Sequence, residues 1–230
     1  MKPFRVIPVI LIAGNDCLKG EQFTNHDYVG DPLNIVKIFN EKEVDEIIVI
    51  DIKARSDRRI NWQLLQDLAD ECRMPFSYAG NVNSLDDIRK LNKLGVEKVI
   101  LTMSNLSDIN FIQNAVSLFG TSTISFLLDI KKNIFGKYKV KYSTKKLNDS
   151  ISDLIRKICD WGVGEIIVQN ISLEGTRKGM DLNIISELSI DERLPIVLSG
   201  GLNSFEECFH LAKSTDISGV AVGANFIYYG

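Results

Sequence analysis

Runs rich in Val and Ile recur along the chain at residues 6–12, 47–52, 75–78, 98–102, 123–130, 165–170, 195–198 and 219–223. Within each run the apolar residues are consecutive rather than alternating, the pattern of strands covered on both faces. Between them, residues 32–42, 62–72, 84–94, 107–119, 150–161, 182–188 and 204–212 carry apolar positions at helical spacing. Helix starts are marked by Asp31 ahead of Pro32, and by Ser84 and Ser204, each followed within three residues by acidic side chains that suit an N-cap and the positive helix end. Strand then helix, repeated, predicts eight parallel strands.

Sliding the sequence against itself by about 120 positions reveals a repeat. Residues 75–91 lie over 195–211, sharing the leading Pro, a Gly, an Asn-Ser pair, the acids that follow it and a closing Leu. Residues 46–52 lie over 165–171, which pairs Asp51 with Asn170. Two fused halves of four strand–helix units, about 1–118 and 119–230, predict a single α/β domain spanning 1–230, a (βα)8 TIM barrel. An open doubly wound sheet is the alternative. Few residues follow the last strand, so the eighth helix is expected to be short or absent, leaving an apolar side open to a partner.

Composition narrows the function classes. With 230 residues, 45% apolar and 25% charged, the chain can bury a sizeable core, which excludes disordered and disulfide-scaffold classes. Lys and Arg number 27 against 30 Asp and Glu, so nothing suggests a nucleic-acid partner. The longest early apolar run is far shorter than the ~20 residues of a membrane span and fits a signal peptide poorly, so a cytoplasmic location is expected. Four dispersed cysteines and two histidines suggest free thiols rather than a zinc site, and no cofactor is expected.

In such a barrel, chemistry belongs at the carboxyl ends of the strands, with phosphate held after strands seven and eight. Ser199, Gly200 and Gly201 follow strand seven, Gly223 and Ala224 follow strand eight, and Gly175 with Thr176 follows strand six. Small residues there let backbone N–H groups approach an anion. Asp129 ends strand five and can serve as general acid or base, or else pair with Lys131 or Lys19. Asp51, Gly80 and Asn170, after strands two, three and six, join as candidate substrate-binding residues. Lys19 follows a loop, residues 13–17, that could close over a ligand. At the opposite face Arg5, Glu46, Lys98 and Glu165 stand where strands begin, and as a set they suit a salt-bridged floor.

These residues resemble the HisF family, the cyclase subunit of imidazole glycerol phosphate synthase, across essentially the whole chain. The matching stretches include Arg5-Val-Ile-Pro8, Lys19-Gly20, Gly30-Asp-Pro32, Asp51-Ile52, Asp129, Glu174-Gly-Thr176, Gly179-Met-Asp181 and Ser199-Gly-Gly201. The resemblance implies a barrel that takes ammonia from a HisH-like glutaminase at its lower face, through a charged gate of Arg5, Glu46, Lys98 and Glu165, to a phosphorylated substrate above. Asp129 matches one family catalytic aspartate, whereas the other falls at Leu11. Ala79, Asn81 and Thr102-Met103 depart from the pattern of the first phosphate site, while the second, at Gly175, Gly201 and Gly223-Ala224, is kept. One carboxylate and one anion clamp resemble HisF-like paralogues that supply ammonia for acetamidino modification of surface-polysaccharide sugars. The alternatives are a cyclase of histidine biosynthesis and a non-catalytic scaffold for the glutaminase.

Overall fold

The computed structural model describes residues 4–22, 24–133, 135–142, 149–188 and 194–223. Strand β1 (Arg5–Ala13) turns directly into a hairpin, β2 (Asp16–Glu21) and β3 (Thr24–Gly30), before α1 (Pro32–Glu41). Then come β4 (Ile47–Asp51), the short α2 (Ala54–Asp57), α3 (Trp62–Glu71), β5 (Phe76–Ala79), α4 (Leu85–Leu94), β6 (Lys98–Thr102) and α5 (Ile109–Phe119). The second half runs through β7 (Ile124–Lys132), β8 (Tyr138–Val140), α6 (Ile151–Asp160), β9 (Glu165–Asn170), β10 (Ile196–Ser199), α7 (Phe205–Ser214) and β11 (Gly219–Val222).

Eight of these strands are parallel and close on themselves in the order β1, β4, β5, β6, β7, β9, β10, β11, with β11 returning to β1 from Arg5↔Gly219 to Pro8↔Val222. This is a (βα)8 TIM barrel. Closure depends on Gly219: a Cβ there would stand 2.6 Å from the Arg5 carbonyl oxygen, inside the contact limit. The consecutive apolar runs are explained by two cores. Outward side chains such as Ile10, Val49, Tyr78, Phe126 and Val168 pack against the helices, while Ile7, Val9, Leu11, Ile48, Ile100, Leu127, Ile167 and Val197 fill the lumen.

The two halves share local detail as well as strand order. Strands β5 and β10 and helices α4 and α7 are the repeat partners, offset by 120 positions. Ser84 forms a full capping box with Asp87, whereas Ser204, although extended at the same place, makes no capping bond to the backbone. Asp31 caps α1 through the N–H groups of Leu33 and Asn34.

Several expectations need correction. Residues 13–17 are not a mobile loop, because β1 passes through a two-residue turn into the hairpin, whose strands pair from Cys17↔Gly30 to Glu21↔Thr24. Residues 182–188 form a 3-10 helix, Leu182–Glu187, instead of an α-helix. There the Ser186 hydroxyl donates to the Asn183 carbonyl, competing with the helical ladder for that oxygen, while the Asn183 side-chain amide bonds the Asp181 carboxylate. Both α2 and the β8 excursion are additions to the simple pattern. The proposed eighth helix, with Ala224, lies outside the described residues. All four cysteines are free thiols, and among the described residues no helix is long and apolar enough to cross a membrane.

The unequal caps give a direct test. Ser84→Ala is expected to lower the unfolding free energy by about 1 kcal/mol in urea denaturation, and Ser204→Ala by less than about 0.5 kcal/mol. Equal losses would mean that the two halves cap alike.

Candidate active site

At the floor of the barrel the four strand-initial charges converge. Arg5 donates to Glu46 at 2.8 Å and also bonds Glu165; Lys98 bonds Glu46 at 2.9 Å and Glu165 at 3.2 Å. Each cation therefore touches both anions. The glutamates lie deepest, at 6% and 8% side-chain exposure, while Arg5 and Lys98 stay about a quarter exposed, at 24% and 21%. Ser77 adds a hydrogen bond to Glu46 at 3.0 Å. Buried carboxylates survive without protonation only when so compensated.

Above the ring the lumen is apolar, lined by Val9, Ile48, Ile50, Ala79, Ile100, Leu127, Ile167 and Ala221, and it holds no water-sized void. At its upper end Asp129 projects inward two residues beyond Leu127. Gln169, its neighbour in register on β9, donates to it at 3.2 Å. Burial pushes the Asp129 carboxyl up to about 6, with the Lys141 charge opposing. A cavity of about 460 Å³ opens beside Asp129 between the ends of β4, β5, β6, β7 and β9, bordered by His26, Arg55, Asn81, Thr102, Ser104 and Lys141.

On the other side of the mouth the glycine loops meet. Glu174, Gly175, Arg177, Gly200, Gly201 and Gly223 line one narrow cleft. Gly200 and Gly201 sit at φ +102° and +92°, and side chains there would strike the carbonyl oxygens of Asn170 and Gly179 at 2.6 and 2.5 Å. Their glycine character is therefore required by chain packing as well as suited to an anion. Ser199 ends β10 at the top of the lumen. The Thr176 hydroxyl donates back to the Leu173 carbonyl at 2.8 Å, closing its own turn.

The remaining candidates are placed less as expected. Asp51 borders the large cavity, but its Oδ1 accepts from the N–H groups of Lys53 and Ala54 at 3.1 and 2.8 Å, and its Oδ2 lies 3.5 Å from the Tyr78 hydroxyl. Asn170 does the same for its own turn, accepting from Ser172 N–H at 3.2 Å. The shared role behind their alignment is turn capping. Gly80 is small because a Cβ would meet the Tyr78 hydroxyl at 2.5 Å and the Asp51 Cβ at 2.8 Å. Lys19 belongs to β2 opposite Asp27, where burial first and the Arg177 charge second lower its pKa. Sequence reasoning missed Gln169, Lys141, Arg55, His26 and Glu174. Gln169 was readable from strand alternation two residues past Ile167, while Arg55 arrives on the short α2, His26 on the hairpin, and Lys141 and Glu174 on loops.

A barrel with its carboxylates and glycine loops gathered at the carboxyl ends of the strands is the arrangement of a TIM-barrel enzyme. The sequence matches the family described as "Histidine biosynthesis protein" over residues 5–230. A Leptospira borgpetersenii protein provisionally named imidazole glycerol phosphate synthase subunit HisF is 36% identical over 230 residues, 98% of this chain and 91% of its own. A Pseudomonas aeruginosa protein provisionally named as subunit hisF2 is 34% identical over 229 residues, again 98% and 91%. The Streptococcus mutans imidazole glycerol phosphate synthase subunit HisF is 28% identical over 229 residues with the same coverage. The chain belongs to the HisF family of imidazole glycerol phosphate synthase cyclase subunits.

Asp129 links the site to stability. Its pKa near 6 exceeds the ordinary 3.8, so folding favours the protonated form; that stabilisation is full below about pH 4 and lost as pH rises through 6. Asp129→Asn is expected to be more stable than the native chain at pH 8 by about 1–3 kcal/mol, with the gap narrowing toward pH 5, in urea denaturation across pH. A gap independent of pH would contradict the buried-carboxylate assignment.

Proposed function

We propose that this barrel is the cyclase subunit of an imidazole glycerol phosphate synthase. It accepts ammonia at its floor from a HisH-like glutaminase and uses it on a phosphorylated substrate held at the mouth. The observation that carries this reading is the mutually neutralised ring of Arg5, Lys98, Glu46 and Glu165 set beneath an apolar lumen that ends at Asp129. Moving one ring member opens the floor, and the dry lumen then favours neutral ammonia over ammonium or other ions. Because the lumen holds no water-sized void, transit requires side chains such as Ile50 and Leu127 to shift in turn. At the mouth Asp129, held near neutrality in pKa, acts as the proton acceptor, and the cleft of Gly175, Gly200, Gly201 and Gly223 takes a substrate phosphate.

One observation favours a second reading. Leu11 lies among the lumen residues where the family resemblance expects a catalytic aspartate, and an ammonia conduit serving amidation of a surface-polysaccharide sugar needs no carboxylate there. The family description and the relatives' names refer instead to histidine biosynthesis and imidazole glycerol phosphate synthase, which puts the cyclase first.

Two measurements test the choice. The native chain is expected to restore growth of a histidine auxotroph lacking its own cyclase subunit, and to raise the glutamine turnover of its glutaminase by about tenfold or more. Lys98→Ala is expected to weaken that coupling. Coupling without complementation would favour the conduit, and the absence of both would contradict ammonia transfer altogether.

A further inference from the structure

We propose that Glu174 is the second acid–base carboxylate of the mouth, working opposite Asp129 in place of the one that position 11 lacks. The inference rests on the cyclase reading above. Glu174 leaves the end of β9, yet its Oε1 lies 3.6 Å from where a Cβ at Gly223 would stand, and that point is 3.7 Å from the Val9 carbonyl. The carboxylate has thus crossed the rim to the edge between β11 and β1, the strand that carries Leu11. It is held there from below and from the side. Gln22 N–H donates to the Glu174 carbonyl at 2.9 Å, and Gly175, at φ +73°, approaches the Gly20 carbonyl so closely that a Cβ would stand 2.1 Å away. The hairpin therefore clamps this turn.

Glu174 lines the glycine cleft, while Asp129 borders the large cavity, so the two acids face the mouth from its two compartments. Glu174 also senses the Asp129 charge. Burial first, and the Asp129 charge second, push Glu174 up to about 7, with the Gly175 N–H opposing. The other titratable groups facing the pair are His26, Asp51, Arg55 and Lys141 around the cavity beside Asp129, and Arg177 in the cleft with Glu174. A phosphate seated in the cleft adds negative charge and holds Glu174 in its acid form. Glu174 then gives its proton to a substrate oxygen or nitrogen while the Asp129 carboxylate takes one from the substrate, and return of that proton from Asp129 to Glu174 restores both groups. Unequal environments for two nearby carboxylates assign acid and base without a residue at strand one.

The test uses the full chain. Glu174→Gln preserves shape and removes the titration, Glu174→Asp restores it, and urea denaturation checks that each variant folds. Carboxyl carbon NMR is expected to show Glu174 titrating near neutrality in the native chain and falling toward the ordinary glutamate range in Asp129→Asn. Turnover of a bisphosphorylated ribonucleotide offered as substrate, with ammonium as nitrogen donor, is expected to fall about a hundredfold or more in Glu174→Gln. It should lose one limb of its pH profile there and recover in part in Glu174→Asp. An ordinary Glu174 pKa indifferent to residue 129, or full turnover in Glu174→Gln, overturns the proposal. A native chain that shows the coupled titration but no turnover supports the carboxylate pair and counts against the cyclase reading.

Discussion

The four-charge ring at the barrel floor is the constraint around which the rest is arranged. Two glutamates lie almost out of solvent at the start of β4's and β9's inward-facing rows, and each is satisfied only because Arg5 and Lys98 bridge both. Removing one member leaves the remaining buried charges only partly compensated, which is why such rings act as units rather than as separate ion pairs. The geometry also depends on what is missing. Gly219, in register with Arg5, presents no side chain at this level, so β11 can close against β1.

Above the ring, the molecule separates polar ends by an apolar interior. Lumen side chains from all eight parallel strands meet without a water-sized gap, so the floor and mouth communicate only through side-chain motion. The mouth has two compartments: a roomy cavity bordered by Asp129, Arg55 and Lys141, and a tight glycine cleft bordered by Glu174 and Arg177. The β2–β3 hairpin touches both, since His26 borders the cavity and Gln22 bonds the Glu174 and Ser172 carbonyls beside the cleft.

Strand order and ring membership were legible in the sequence because they follow from local pattern. Consecutive apolar runs mark strands buried on both faces, and a charge just ahead of such a run lands on the barrel floor, as Glu46, Lys98 and Glu165 do. The internal repeat correctly paired β5 with β10 and α4 with α7. It also paired Asp51 with Asn170, and the two prove equivalent as side-chain oxygens that cap the turn after their strands. What remained hidden depends on tertiary approach. No local signal told that residues 13–30 fold back as a hairpin against the loop after β9, or that Glu174 reaches the far edge of the rim. Leu182–Glu187 escaped for a different reason: its apolar spacing fits an α-helix, but it forms a 3-10 helix in which the Ser186 hydroxyl competes for the Asn183 carbonyl.

The measurement that bears most directly on the ring is a double-mutant cycle between Lys98→Met and Glu165→Gln, read as folding free energy in urea at neutral pH. A mutually neutralised floor predicts that the two losses fail to add, with a coupling of about 1–3 kcal/mol. Additive losses, with coupling within about 0.3–0.5 kcal/mol of zero, would show that the charges at the floor act independently and would contradict the mutually neutralised ring.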